Sequence, residues 1–207
     1  MTRSASPVRL TRLDATGAML VVAIFMAFAW HASGVFDDAL WQTEASQDVY
    51  FHSDTYFFFE FWQMGAVLLP SSHAAHPWLG LLILGLKRAS VGFGFRFALA
   101  LRALLTASAG LSGALLYLLA RGIGTSSLAA LIGTLSVAST AAFTHWVGAI
   151  DHFALSIGTI GASFALLAAS ATTSAAAWTG AAALAGSITI TNLVAGALSV
   201  AARSGAP

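Results

Sequence analysis

Long apolar runs, broken by short polar stretches and one long polar segment, set the pattern of this chain. Gly17–Val35 approaches the roughly 20 residues that a membrane-spanning helix needs. Four later runs have a similar pattern, namely Phe97–Ala120, Ser127–Ala149, Phe153–Ala169 and Ala177–Val200. Pro77–Leu86 is too short to cross alone. The pattern predicts an all-α, polytopic transmembrane helix bundle of about five or six membrane helices.

The long polar segment, residues 36–76, carries six of the eight acids and a dense group of aromatic side chains. Within it, Ser53 or Asp54 is a good helix N-cap, and a helix over Thr55–Leu69 would place its polar and aromatic side chains on opposite faces. Such a helix is typical of the membrane interface. We therefore expect residues 36–76 to form an acidic, aromatic outer loop that contains an interfacial amphipathic helix.

The same pattern divides the chain into a basic tail (1–16), a first transmembrane helix (17–35), the outer loop (36–76) and the remaining bundle (77–207). Arg9 and Arg12 precede the first apolar run, so the positive-inside rule places the N-terminus in the cytoplasm. A signal peptide is disfavoured because its apolar region would be too long and further apolar runs follow.

Composition supports a membrane protein, since 58% of the 207 residues are hydrophobic and only 8% are charged. Soluble domains are closer to 45–50% apolar and 25% charged. The sequence has no stripe of lysine and arginine that could bind along the phosphate backbone of a nucleic acid, so nucleic acid is not an expected partner. Cysteine is absent, which excludes disulfides and thiolate sites. The scarcity of lysine and richness in alanine and glycine favour a bacterial plasma membrane, with the chain as an integral multi-pass protein.

Several short motifs are similar to those of one enzyme class. They are FDDALW, FHSDTYFFFEFW, HPWLGLLILGL, RFALALRALL, RGIGTSSLAALIGTLSVAS, THWVGAIDHFALS and ITITNLVAGAL. Their order resembles the GT-C class of polytopic glycosyltransferases, which use polyprenyl-phosphate sugars. The resemblance implies transfer of a sugar from a lipid-linked donor to an acceptor at the outer membrane face. Members of the class are longer, so we expect this chain to correspond to an N-terminal module that needs a partner subunit or further domains.

The resemblance implies that a loop carboxylate acts as the general base on the acceptor hydroxyl. Asp54 is the first choice, followed by Asp38 and Asp37. A general base must lie within hydrogen-bond reach of the attacking oxygen and be ionised. The alternative for Asp54 is a simple N-cap, and for Asp37 and Asp38 a solvated start of the loop.

The leaving phosphate would be met by cationic side chains, for which Arg102 and Arg96 are the candidates. Arg102 lies within an apolar run, where an arginine is costly enough to indicate a function or a buried partner. Snorkelling to the interface is the alternative for Arg96.

Other polar residues give weaker predictions. Asp151 interrupts two apolar runs and is either a second functional acid or part of a polar turn. His73 and His76 are candidate ligands of a divalent cation, although no full ligand set is evident. Topology decides which side Asp151 faces, and it depends on whether Pro77–Leu86 crosses the membrane.

Two other function classes fit parts of the pattern. A small transporter-like bundle would explain the polar residues within apolar runs, but it predicts internally related halves, which the sequence lacks. A non-catalytic membrane assembly subunit, or a truncated paralogue, would explain the short length but leaves the acidic loop without a role.

Overall fold

The computed structural model describes residues 11–35, 77–140, 153–168 and 175–188, together with isolated helical positions near the C-terminus. These residues form six helices. They are α1 (Arg12–Val35), α2 (Pro77–Gly92), α3 (Phe97–Gly122), α4 (Ser127–Ala138), α5 (Phe153–Ala168) and α6 (Ala175–Ile188). Throughout this described part the regular structure is helical, which confirms the all-α prediction.

Two of the described helices are long and apolar enough to cross a membrane. They are the segments Arg12–Gly34 of α1 and Leu99–Gly122 of α3. The described residues therefore do not show the predicted five or six spanning helices, because α2, α4, α5 and α6 have only 12 to 16 residues each. At about 1.5 Å per residue, 16 residues extend about 24 Å, which is less than the ~30 Å hydrocarbon layer.

Helices α1 and α3 form an antiparallel pair, which has the most extensive contact among the described helices. Near one end of the pair Asp14 contacts Arg121, and near the other end Trp30 contacts Arg102. The core between and around them consists of Val21, Phe25, Ala29, Leu101, Leu105, Ala109, Tyr117, Ala130 and Ala138. On α1 these buried positions recur every four residues, a spacing that puts side chains on one face of a helix.

Small residues bring the two backbones close together. A Cβ atom added at Gly113 would lie 2.7 Å from ring atoms of Phe25, and one at Gly110 would lie 2.6 Å from Cγ of Met26. Because these distances are shorter than any normal contact, the α1–α3 spacing depends on glycine at both positions. Close packing of this kind suits helix association in lipid.

Helix α5 packs on the other side of α3 and runs parallel to it. The direction follows from two contacts, since a Cβ at Gly158 would approach Ser112 and one at Gly161 would approach Leu115. Helix α5 therefore begins beside the middle of α3, about five residues before the level of Ser112, and runs toward the end where α3 terminates. Helix α4 packs on α1 and α3, and α6 packs on α5 and α2.

Two turns of the same type join α2 to α3 and α3 to α4. Each has a glycine in the left-handed region, Gly94 with φ 71° and Gly124 with φ 95°. In each, the residue after that glycine donates its backbone N–H to a carbonyl five residues earlier, Phe95 to Ser90 and Thr125 to Ala120. This is the Schellman pattern, in which glycine avoids the steric cost that a side chain would bring.

Helix boundaries deviate from the sequence predictions at several ends, among them the start of α1 and the end of α4. Helix α1 begins at Arg12, five residues before the predicted Gly17, so the predicted basic tail (1–16) contains the first helical turn. The predicted interfacial helix of the loop 36–76 lies outside the described residues.

Candidate functional site

Two polar clusters lie at opposite ends of the α1–α3 pair. The Asp14 cluster comprises Thr11, Asp14, Tyr117, Arg121 and Ser127, and the Arg102 cluster comprises Trp30, Ser33 and Arg102. The α3 residues between Arg102 and Arg121 include no charged side chain. Arg102 and Arg121 are nineteen positions apart on α3, which corresponds to about 28 Å along the helix axis. This distance is close to the thickness of a bilayer's hydrocarbon layer.

The Asp14 cluster is centred on a carboxylate with no exposed surface. Nε of Arg121 donates to Oδ1 of Asp14 at 2.5 Å, and the Arg121 side chain is 14% exposed. Ser127 donates its hydroxyl to the same oxygen at 3.0 Å, and Tyr117 does so at a long 3.4 Å. The cluster therefore joins α1, α3 and the first residue of α4 through one carboxylate.

Local sequence explains how Asp14 is held in this orientation. Thr11 donates its backbone N–H to Oδ2 of Asp14 at 2.8 Å, and its hydroxyl donates to the same oxygen at 2.9 Å. The backbone N–H of Asp14 points back to the Thr11 hydroxyl at 3.3 Å. This reciprocal arrangement is a capping box with aspartate as its acid, and it also puts a negative charge at the positive end of the α1 dipole.

Arg121 is fixed from its other side as well. It is the basic residue in the last turn of α3, and its Nη1 donates to the backbone carbonyl of Thr125 in the turn to α4. Both partners of the ion pair thus form further hydrogen bonds to protein groups. A buried pair with this geometry acts as a structural clamp, because separating it would leave an uncompensated charge.

The Arg102 cluster is more open. The Arg102 guanidinium lies over the Trp30 ring, with Cζ 4.0 Å from the ring centroid. Its Nε donates to the Ser33 hydroxyl at 2.8 Å, and its Nη2 donates to the Trp30 carbonyl. These contacts place a cation on the carbonyl end of α1, which has no basic residue of its own in its last turn. The helix dipole favours a positive charge there.

Glycine makes room for this cation. A Cβ at Gly34 would lie 2.7 Å from Nη2 of Arg102, so any larger residue would displace the guanidinium. Among the described contacts, two of the five N–H groups of Arg102 are used, and its side chain is half-buried. The guanidinium can therefore donate further hydrogen bonds to an acceptor such as a phosphate or carboxylate oxygen.

The structure positions only part of the predicted site. Arg102 contacts Ser33, which is buried, and Trp30, which is 40% exposed. Arg96 is the exposed N-cap residue of α3. No described contact joins the two arginines. The remaining candidates lie outside the described residues, namely Asp37, Asp38, Asp54, His73, His76 and Asp151. In the described ranges no group of three or more His, Asp or Glu side chains could hold a metal ion.

Sequence reasoning missed Asp14 because the residue lies outside the apolar run that begins at Gly17. A signal was present in the letters TRLDATGAML, where threonine is followed three residues later by an acid just before an apolar stretch. That spacing is typical of a capping box at a helix N-terminus. The partner Arg121, 107 positions away, has no comparable local signal.

Comparison of the chain with protein-family models, with curated proteins and with solved structures finds no match.

Proposed function

We propose that this chain is an integral, multi-pass protein of a bacterial plasma membrane that acts as a glycosyltransferase, or as the N-terminal module of one. It would transfer a sugar from a polyprenyl-phosphate donor to an acceptor at the outer face. The observation that carries the proposal is the Arg102 cluster, a cation that lies within an apolar helix and retains capacity to donate. The proposed chemistry of the loop acids rests on the resemblance to the GT-C class.

Exposed apolar side chains support embedding in a membrane. Leu99, Ala103, Ala107 and Leu111 form an exposed stripe at four-residue spacing on α3. Helix α1 also exposes large side chains, with Met19 73% and Leu20 47% accessible. Contiguous apolar surface of this kind is unusual on a monomeric soluble protein, whereas lipid covers it without cost.

The antiparallel α1–α3 pair supports placing Arg102 at the outer face. The basic N-terminal tail favours a cytoplasmic start for α1, so α1 ends at the outer face at Val35. Trp30, Ser33 and Arg102 lie at that end, and the acidic segment 36–76 continues from it.

A phosphate at this position would receive charge-assisted hydrogen bonds from Arg102. Such bonds are shorter and roughly twice as strong as neutral ones, and a guanidinium can offer two parallel N–H groups to phosphate. The base in this proposal is Asp54, with Asp38 and Asp37 as alternatives, because the acceptor oxygen must lose a proton as the lipid phosphate leaves. A divalent cation near the loop acids belongs to the same proposal.

A second candidate function is a non-catalytic membrane assembly subunit. The observation that favours it is the side of α4 that faces away from the described helices, where Leu128, Ala129, Ile132 and Gly133 are all exposed. A Cβ at Gly133 would meet nothing within 4 Å. A face that combines small and large apolar residues permits close packing of another membrane helix.

Sugar transfer from a panel of polyprenyl-phosphate donors tests the first proposal. The purified full chain in detergent is compared with Asp54→Asn, Arg102→Gln and Arg102→Lys, and Arg12→Gln serves as a matched control at the opposite end. We expect Asp54→Asn to abolish turnover and Arg102→Gln to raise the KM for the donor. Arg102→Lys, which keeps the charge, should retain part of the activity. Absence of turnover with every donor, from a folded and monodisperse chain, would contradict the enzyme and favour the assembly subunit.

A further inference from the structure

The turn between α2 and α3 exposes a group of large apolar side chains. Val91 is 74% exposed, Phe93 77% and Phe95 63%. The two phenylalanine rings lie side by side, with centroids 6.5 Å apart. We name residues Val91 to Arg96 the Phe93 turn.

Backbone geometry holds these side chains outward. Gly94 has φ 71°, and Phe93 and Phe95 donate their backbone N–H groups to the carbonyls of Ala89 and Ser90. The turn is therefore closed by its own hydrogen bonds. Since exposure of two aromatic rings in water is unfavourable, and backbone bonds already stabilise the turn without them, their outward position indicates a non-aqueous partner.

Among the residues that the structure describes around the Phe93 turn, the charged side chains are all basic. Arg88 and Arg96 are exposed on either side of it, and Lys87 lies one residue before Arg88. Residues 77–122 contain no aspartate or glutamate at all. An anionic surface is the complement of this arrangement, with aromatic rings entering the layer and guanidinium groups meeting its phosphates.

The depth of the turn agrees with a lipid headgroup layer. Helix side chains incline toward the N-terminus, so Arg102 reaches toward the start of α3. From Arg102 to Phe97 the helix rises about 8 Å, comparable to the roughly 5–8 Å that headgroups add on each side of the hydrocarbon layer. Phenylalanine beside arginine at this depth is typical of segments that bind the membrane interface.

We propose that the Phe93 turn is a binding surface for anionic phospholipid headgroups, in which Phe93 and Phe95 insert at the interface and Arg88 and Arg96 contact lipid phosphates. The proposal shares with the proposed function only the embedding of α1 and α3 in a membrane. It does not depend on sugar transfer. The turn at the other end of α3 offers a comparison, because only Ile123 is a large exposed apolar residue there.

The absence of cysteine allows a direct test with single-cysteine variants of the full chain. A fluorophore is attached at Val91→Cys, which leaves Phe93 and Phe95 in place, and at Leu111→Cys in the middle of α3. The chain is reconstituted in two sets of phosphatidylcholine vesicles. Each set contains the same small fraction of a lipid with a quencher on its headgroup, which is phosphatidylglycerol in one set and phosphatidylcholine in the other. The ratio of quenching by the two lipids reports local enrichment of the anionic one.

We expect the Val91 label to be quenched about twofold to fivefold more by phosphatidylglycerol, since each exposed arginine near a membrane surface favours anionic lipid to about this degree. Arg88→Gln with Arg96→Gln should bring the ratio close to one. Arg12→Gln, which removes an exposed arginine at the opposite end, should leave it unchanged. Phe93→Ser with Phe95→Ser should reduce quenching by both lipids because the turn would move outward.

Two results would overturn the proposal. One is equal quenching by both lipids in the parent protein, and the other is a preference that survives loss of both arginines. The Leu111 label, which reports whether α3 is embedded in lipid, separates a wrong headgroup site from a wrong proposed function. If it is shielded from aqueous quencher while the Val91 label is not, only the headgroup site is wrong, whereas exposure of both would contradict membrane embedding altogether.

Discussion

At the residue scale, the ion pair between Asp14 and Arg121 gives the sharpest prediction. Asp14→Asn or Arg121→Gln alone leaves one charge in a buried site without its partner, which is strongly destabilising. The double variant removes both charges and leaves two groups that can still form a neutral hydrogen bond. We therefore expect the double variant to be more stable than the sum of the single effects implies. Thermal unfolding in detergent, followed by circular dichroism, measures the four proteins.

The control for this cycle is Arg12→Gln, since Arg12 is exposed and lies two residues from Asp14. Its melting temperature should be close to that of the parent. Strict additivity of the two single substitutions would contradict the coupling, and would mean that the groups do not interact in solution.

Sequence reasoning at this scale can single out a residue whose position is energetically costly by itself. Arg102 was predicted as a functional or partnered arginine because an apolar run surrounds it, and the structure gives it Trp30 and Ser33 as partners. Those partners, about 70 positions away, were not predicted because a single sequence carries no signal for which helices pair. Asp14 was missed because its capping signal lies just outside the apolar run.

At the element scale, the spacing of α1 and α3 depends on two glycines that face α1. Gly113→Ala would place a methyl group 2.7 Å from the Phe25 ring, which is buried and cannot move aside freely. Overpacking of this kind costs about 1–3 kcal/mol. We expect a lower melting temperature and a change in Phe25 packing, measurable by thermal unfolding in detergent.

Gly133→Ala on α4 is the matched control for Gly113→Ala. A methyl group there would meet nothing within 4 Å, and alanine favours helix over glycine by about 1 kcal/mol. This substitution should be neutral or stabilising. Equal destabilisation by the two alanines would contradict a specific role of Gly113 in the α1–α3 contact.

Helix existence was predicted well because apolar runs are bounded by clear stop signals. Helix α3 begins at the predicted Phe97 and α5 at the predicted Phe153. The end of α3 at Gly122 follows from the glycine-rich turn that comes next. Membrane crossing was harder to predict, since a run of apolar residues fixes neither where a helix ends nor whether it spans, and α4 ends at Ala138 inside the predicted Ser127–Ala149 span.

At the scale of the whole molecule, the antiparallel α1–α3 pair restricts the topology that the sequence left open. Contact between Asp14 and Arg121 puts the end of α3 beside the start of α1, so Arg121 shares a side with the N-terminal tail. Arg88, Arg96 and Arg102 belong to the opposite end. Basic residues therefore occur at both ends, which explains why the positive-inside rule alone did not decide whether Pro77–Leu86 crosses the membrane.

This arrangement predicts a labelling pattern in a cell. In the cysteine-free chain, a membrane-impermeant maleimide should label Phe95→Cys from outside intact cells, because the Phe93 turn lies at the end where α1 terminates. Ile123→Cys, which is 70% exposed in the other turn, should react only after the membrane is permeabilised. Leu111→Cys, midway along α3, should react slowly in both conditions because lipid excludes the water that thiolate formation needs. Labelling of both turns from the same side would show that α3 does not cross the membrane. It would then remove the basis for placing Arg102 at the outer face with the acidic segment.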